Sequence, residues 1–214
     1  MNRSIIEIVN EQINKQAGIS NKQQSVLLSA TELFSMKGFN NTSTKDIASL
    51  AQVSEGTVYK HFKTKDELLH AGLLPLYKSV VAPEIVKEFT NELSQCKDLE
   101  SFVDTFVDNR IEFIHKNKNL LKIILGEVMF NDNIQTLMYN LLQEMVAPAI
   151  ESLIQNLKNN NQIDPEIRNH NAFQALATNT ISVMLPVLLS HNYDVSKLNS
   201  DISATKYLLL KMLK

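Results

Sequence analysis

The sequence predicts an all-α protein, with a small N-terminal helix-turn-helix head followed by a larger helical domain. Three observations predict it. No stretch of useful length alternates apolar and polar residues with the period of two that a half-buried strand requires. Apolar residues recur instead at helical spacing through most of the 214-residue chain. Between Gly38 and Leu69, three caps at short intervals (Ser43 with Asp46, Ser54, and Thr64 with Glu67) each open a short helix.

Taken in order, Ile5, Ile6, Val9 and Ile13 make residues 3–17 an amphipathic helix that Gly18 terminates. The expectation for this segment is a frayed terminus, the alternative an arm against a dimer partner or DNA. Val26, Ala30, Leu33 and Phe34 mark a helix over 21–37, stopped by Gly38. A two-turn helix from Thr44 carries Ile47, Ala48 and Ala51 on one face, and Ser54 caps a second over residues 55–61 with Val58 and Phe62 inward. From Lys65 to about Val81 runs a linker helix with Leu68, Leu69, Gly72, Leu73, Leu76 and Val80, which Pro75 should bend. Ala82-Pro83 restarts a helix, because proline suits the first helical turn. Asp98 caps a helix over 99–116, an apolar segment follows from Asn119 to Phe130, and a long helix occupies about 133–158 with Pro148 inside. The loop Asn159–Gln162 precedes Asp164-Pro165, which opens a helix to about Ser190, and Asp201 opens the last, to Lys214.

Composition excludes several classes. The single cysteine, Cys96, rules out an internal disulfide and agrees with a reducing compartment. The first residues, Met-Asn-Arg-Ser-Ile-Ile-Glu, lack the uninterrupted apolar core of a signal peptide. The longest apolar run, Val183 to Leu189, falls well short of the roughly 20 residues a membrane span needs. A soluble cytoplasmic protein with no membrane partner is therefore expected. The five histidines show no metal-ligand spacing, and Glu112 with His115 supplies only two ligands. There is no phosphate-cradling glycine loop and no nucleophile elbow, so no enzyme activity, cofactor or metal is expected. Asp104 and Asp108 are expected to face solvent.

The net charge of −2 argues weakly against a polyanionic partner, but its distribution matters more. Residues 1–70 hold eight basic and seven acidic residues, and Lys45, Lys60, Lys63 and Lys65 cluster within one stretch of them. Two short helices joined by a brief turn form the helix-turn-helix motif, whose second helix enters the DNA major groove. The outward residues of that second helix are Glu55, Thr57, Tyr59, Lys60 and His61.

The same stretch resembles the DNA-binding domain of the TetR (tetracycline-repressor-like) family of bacterial transcriptional regulators. The residues in register are Ala30, Leu33, Phe34, Gly38, Phe39, Thr42, Ser43, Ile47, Ala48, Val53, Ser54, Gly56, Thr57, Val58, Tyr59, His61, Phe62, Lys65 and Leu68. The likeness covers about the first third of the chain, suggesting a DNA-binding domain over 1–68 (arm included) and an effector-binding and dimerisation domain over 69–214. Three departures stand out: Gln52 where glycine is usual in the turn, Leu50 for a smaller residue, and Lys22 without the usual arginine. Gln in a left-handed conformation costs roughly 1 kcal/mol. The resemblance implies that the DNA contacts fall among Thr42, Ser43, Thr44, Lys45, Ser54, Glu55, Gly56, Thr57, Tyr59, Lys60, His61 and Lys65. Tyr59 and His61 match positions that meet phosphates, while Lys45, Thr57 and Lys60 can reach base edges. Glu55 either accepts from cytosine N4 or repels the backbone, and both readings stay open.

In the C-terminal part, Phe102, Phe106, Asn109 and Phe113 fall on one stripe of one helix. Such a stripe is ordinarily core, yet an amide within it needs partners. With Met129, Met138, Met145 and Phe173 it suggests an adaptable apolar chamber. The resemblance makes this a ligand pocket, and the scarcity of cations on the stripe suggests a neutral or weakly polar lipophilic effector, with Arg110 pointing elsewhere. Phe173, Leu176, Ile181, Met184, Val187, Ile202, Leu209 and Met212 are expected to build a homodimer interface from the last two helices. The implied function is a repressor released from a palindromic double-stranded DNA operator by a small lipophilic molecule. Two alternatives are an architectural or division-linked DNA-binding protein without an effector, and a helical enzyme or carrier whose helix-turn-helix is incidental.

Overall fold

In the computed structural model, residues 4–73, 82–189 and 195–214 are described, and among them all regular structure is helical. The chain forms two compact units, one built from residues 3–85 and 117–137, the other from 86–116 and 138–214. The N-terminal unit thus recruits a distant segment in addition to the contiguous head.

Helix α1, Ile5–Lys15, begins in a full capping box in which Ser4 and Glu7 satisfy one another's backbone N–H groups. Its residues Ile5, Ile8, Val9 and Ile13 are buried, three of them completely. The expected frayed terminus is therefore a correction: a stripe at i, i+3, i+4 and i+8 has found an apolar partner surface. The Ile5 N–H donates to Asn117 Oδ1 at 2.8 Å, an internal bond for a helix-start donor with no partner of its own. Helix α2, Asn21–Lys37, is capped by Ser20 and closed by Gly38 at φ +83°. It buries Val26, Leu27, Ala30 and Phe34, and the Phe34 and Phe39 rings lie 5.1 Å apart.

Helices α3 (Thr44–Leu50) and α4 (Glu55–His61) follow with the anticipated boundaries. In the turn between them Gln52 takes φ +55°, the left-handed conformation expected there, and the Val53 N–H closes the turn on the Ala48 carbonyl at 3.0 Å. Leu50 is exposed, so its bulk displaces nothing. Helix α5, Lys65–Glu67, is capped by Thr64 and widens into a π-helical turn over Leu68–Leu73. The expected bend at Pro75 and the apolar positions Leu76 and Val80 lie outside the described residues.

Beyond it, α6 (Ala82–Ser94) starts where the Ala-Pro step placed it. Helix α7 runs from Leu99 to Phe130, fusing two segments expected to be separate. It does so through one non-helical residue, Asn117 (φ −112°, ψ 16°), whose buried amide receives the α1 bond. The single long helix expected over 133–158 is instead α8 (Asp132–Asn140), a π-helical turn Leu141–Val146, and α9 (Ala147–Asn159). Pro148 sits in the first turn of α9, where its missing N–H costs nothing, and the wide turn before it accommodates the ring.

Helix α10, Asn169–Leu189, begins later than the Asp-Pro step suggested, because Asp164 caps only a turn by accepting from the Glu166 N–H at 2.8 Å. Helix α11, Val195–Leu213, begins earlier than Asp201, which lies within it. Ser190, the expected end of α10, lies outside the described residues.

The core of the C-terminal unit draws Phe89 and Leu93 from α6, Leu99, Phe102, Val103, Phe106 and Val107 from α7, Ile150, Ile154 and Leu157 from α9, Phe173 and Leu176 from α10, and Leu209 and Leu213 from α11. Lys206 of α11 bridges Asp108 at 2.7 Å and Asp104 at 3.3 Å on α7. The two aspartates are solvent-exposed as expected, and ion-paired as well. Burial pulls the Lys206 ammonium down, but the Asp108 hydrogen bond and the two carboxylate charges hold it above its ordinary pKa. By length and composition α10 is apolar enough to cross a membrane. Six of its apolar residues are buried in the chain, Ala172, Phe173, Leu176, Val183, Met184 and Leu188, the first three of them in this unit's core.

Candidate nucleic-acid interface

The head's polar face is assembled from the caps of two short helices. Ser43 and Asp46 form a reciprocal box at the start of α3, with both N–H···O bonds at 3.0 Å. The Ser43 N–H and hydroxyl, with Lys37 3.2 Å away, hold the Asp46 carboxyl down at a pKa of about 2. Ser54 accepts from the Thr57 N–H at 3.2 Å, and the two hydroxyls lie 2.9 Å apart. Ser43, Ser54 and Thr57 are thus engaged in shaping the helix starts.

At the first turn of α4, Gly56 is exposed, and a Cβ built there meets only the Ser54 Oγ, at 3.8 Å. Nothing inside the chain demands glycine. Its absent side chain leaves bare backbone at a helix N-terminus, where N–H groups face outward and an anion is favoured.

Thr44, Glu55 and Tyr59 form a closed triangle on this face. The Thr44 hydroxyl donates to Glu55 Oε1 at 2.9 Å, the Tyr59 hydroxyl reaches the same oxygen at 3.4 Å, and the two hydroxyls are 3.1 Å apart. Lys45 and Lys60 are exposed beside it, Lys63 is exposed just past α4, and His61 is half-buried at the end of α4.

Two expected contacts turn out to be internal. Thr42 is buried, its hydroxyl donating to the Gly38 carbonyl at 2.8 Å, so its side chain ties down the loop after α2. The Lys65 ammonium donates to the carbonyls of Phe39 at 2.6 Å and Thr42 at 2.9 Å and sits 4.2 Å from the centre of the Phe39 ring. Its length lets it fold back across 26 residues of sequence, a choice that spacing alone does not reveal.

The aromatic stripe of α7 meets a similar correction. Phe102, Phe106 and Phe173 are core residues, with Phe89 and Phe106 centroids 5.3 Å apart. Asn109 is buried and already bonded: its amide N–H donates to the Glu92 carboxylate, and Arg110 Nε donates to its Oδ1 at 3.1 Å. Arg110 does not point elsewhere; its guanidinium lies 3.7 Å from the Phe89 ring centre and 4.8 Å from that of Phe113. Phe113, Met138 and Met145 are half-buried, whereas Met129 is exposed and belongs to the N-terminal unit. A shallow depression lined by Asn161 to Pro165 and Lys214 shares no residue with this stripe.

Of the expected interface residues, Phe173, Leu176, Met184 and Leu209 are buried within the chain itself and cannot cross to a partner. Val187 and Ile202 are half-buried, and Ile181 and Met212 are exposed. With Leu185, Leu189, Tyr207 and Leu208, these last two make an outward apolar row that the sequence reading missed. The signal was present as Ile181, Leu185 and Leu189 at i, i+4 and i+8. A helix apolar on nearly every side, however, does not announce which stripe faces inward.

A family model described as bacterial regulatory proteins, tetR family, matches residues 26–71. The HTH-type transcriptional regulator UidR of Escherichia coli strain K12 is 23% identical over 177 residues, 81% of this chain and 85% of UidR. Salmonella enterica GusR has a similar structure, with a TM-score of 0.64 at 21% identity over 94% of this chain and 99% of GusR. So does FadR of Bacillus subtilis, solved in complex with stearoyl-CoA, with a TM-score of 0.61 at 15% identity over 89% of this chain and 98% of FadR.

Proposed function

We propose that this chain, which belongs to the TetR family of bacterial regulatory proteins and is a transcriptional regulator of that family, is a homodimeric repressor released from its operator by a lipophilic small molecule. The observation that carries the DNA-reading part is the face built by the starts of α3 and α4. There Thr44, Glu55 and Tyr59 converge beside the bare backbone of Gly56 and the exposed Lys45 and Lys60. Phosphate contacts supply affinity and register, base edges supply sequence, and this face carries donors for both. The domain boundary that suits this division lies near residue 68.

Dimerisation is supported by the outward row of α10 and α11, from Ile181 to Leu189 and from Tyr207 to Met212. A two-fold dimer uses the same patch on both subunits. It must set its two recognition helices about 34–36 Å apart to read successive half-sites. An effector that binds the off-DNA spacing better than the on-DNA spacing releases the operator. The likeness to FadR, whose structure holds stearoyl-CoA, supports an apolar effector. One observation favours the reading without an effector: Phe102, Phe106 and Phe173 are packed in the core, and Asn109 is satisfied by Glu92 and Arg110.

Selection of bound duplexes from a random pool tests the DNA-reading part, with a palindromic consensus expected. Titrating the selected complex with long-chain acyl compounds then tests release. Failure to select any duplex would sink the whole proposal, while operator binding indifferent to every lipophilic compound would leave a regulator without this effector class.

A further inference from the structure

The triangle on the reading face contains an acid where a polyanion is to bind. Glu55 is the first residue of α4, where the helix dipole stabilises a carboxylate. Its Oε1 takes the Thr44 hydroxyl at 2.9 Å and lies 3.4 Å from that of Tyr59, two donors contributed by different helices. A phosphate oxygen would seek those same hydroxyls. In the unbound protein the Glu55 carboxylate holds both of them.

We propose that Glu55 is a specificity-determining residue, whose carboxylate passes from Thr44 and Tyr59 to the N4 amino group of a cytosine at the cognate site. The inference rests on the DNA-reading proposal above. Binding to arbitrary sequence is almost wholly a matter of backbone contacts. There Glu55 competes with the phosphate for two hydroxyls and repels it, gaining nothing in return. At a cognate site the first turn of the recognition helix faces base edges, and a cytosine amino group in the major groove is the donor an acidic side chain accepts from. The carboxylate then keeps a partner while Thr44 and Tyr59 turn to the backbone. Glu55 thereby weakens every wrong site more than the right one.

The test uses the full-length protein with Glu55→Gln, which keeps the side-chain shape, and Glu55→Ala. Each is titrated against the duplex selected by the wild type and against a scrambled duplex, over a range of salt. Both variants should bind the scrambled duplex about tenfold more tightly; Glu55→Ala, which has no acceptor left, should narrow the ratio of specific to scrambled affinity about tenfold, and Glu55→Gln, whose amide oxygen still accepts, should narrow it by less. Repeating the selection with Glu55→Ala should erase a cytosine at one position in each half-site. An unchanged ratio, an unchanged consensus, or equal weakening on both duplexes would overturn the inference while leaving the DNA-reading proposal intact. If Glu55→Ala melts early, Glu55→Gln decides alone. Selection of no duplex by the wild type would overturn both.

Discussion

Replacing Lys65 by Met separates two roles that the same residue type can play. The Lys65 ammonium holds the carbonyls of Phe39 and Thr42 at 2.6 and 2.9 Å and lies 4.2 Å from the Phe39 ring centre. Hydrogen bonds from a charged donor are each worth about 1.5–3 kcal/mol, and an exposed cation–π contact about 0.5–1 kcal/mol. The side chain is half-buried, so water can partly replace it at both carbonyls. A net loss of about 2–3 kcal/mol remains, roughly 5–10 °C in Tm for a chain of this size. Thermal and urea unfolding measure that loss. Operator binding against salt then measures the other role, since a lysine that neutralises a phosphate lowers the slope of log K on log salt by about 1 per subunit when removed. Lys65→Met should destabilise the protein and leave the salt slope unchanged. Unchanged stability with a slope reduced by about 2 per dimer would refute the internal role and restore Lys65 to the phosphate contacts.

Ile8→Ala on the fully buried face of α1 should cost about 2–4 kcal/mol by urea unfolding, whereas an undocked terminus would lose nothing measurable. Because the Asp46 carboxyl is held down at about 2, against an ordinary value near 4, its contribution to stability is complete above pH 4 and disappears as pH falls through about 2. A carboxyl NMR titration that places Asp46 near 4 would contradict the capping box. Ile181→Glu together with Leu208→Glu should yield folded monomers in sedimentation, while Met184→Glu should unfold the chain, because only the first two side chains face outward. Folded monomers from Met184→Glu would reverse that assignment. Gly56→Ala should stabilise α4 by roughly 0.5–1 kcal/mol yet weaken operator binding, since the chain has room for the methyl group and the DNA backbone would not; operator affinity equal to wild type would remove the close approach.

The head was legible in the sequence because its information is local. Caps act over three residues, so Ser43 with Asp46, Ser54 by itself, and Thr64 with Glu67 declare three helix starts wherever the rest of the chain lies. The left-handed turn at Gln52 was expected only from the resemblance, in which glycine is usual at that position. The same locality explains the misplaced starts of α10 and α11: Asp164 and Asp201 have the chemistry of caps, but a cap suits a lone turn as well, and an acid is tolerated inside a helix.

What the tertiary structure decided concerns side chains whose choice of partner is made across long stretches of sequence. Lys65 and Thr42 read as surface groups until the fold brings the carbonyls of Phe39 and Gly38 within their reach. Asn117 reads as one more helical residue until α1 supplies the Ile5 N–H that its amide accepts. Glu55 reads as one more exposed acid until the fold brings Thr44, on another helix, to donate to it. On α10 and α11 periodicity identifies apolar stripes but not their direction, because burial depends on which neighbours reach a stripe first. In the folded chain Leu176 and Leu209 are inside, and Ile181 and Leu208 are left outside.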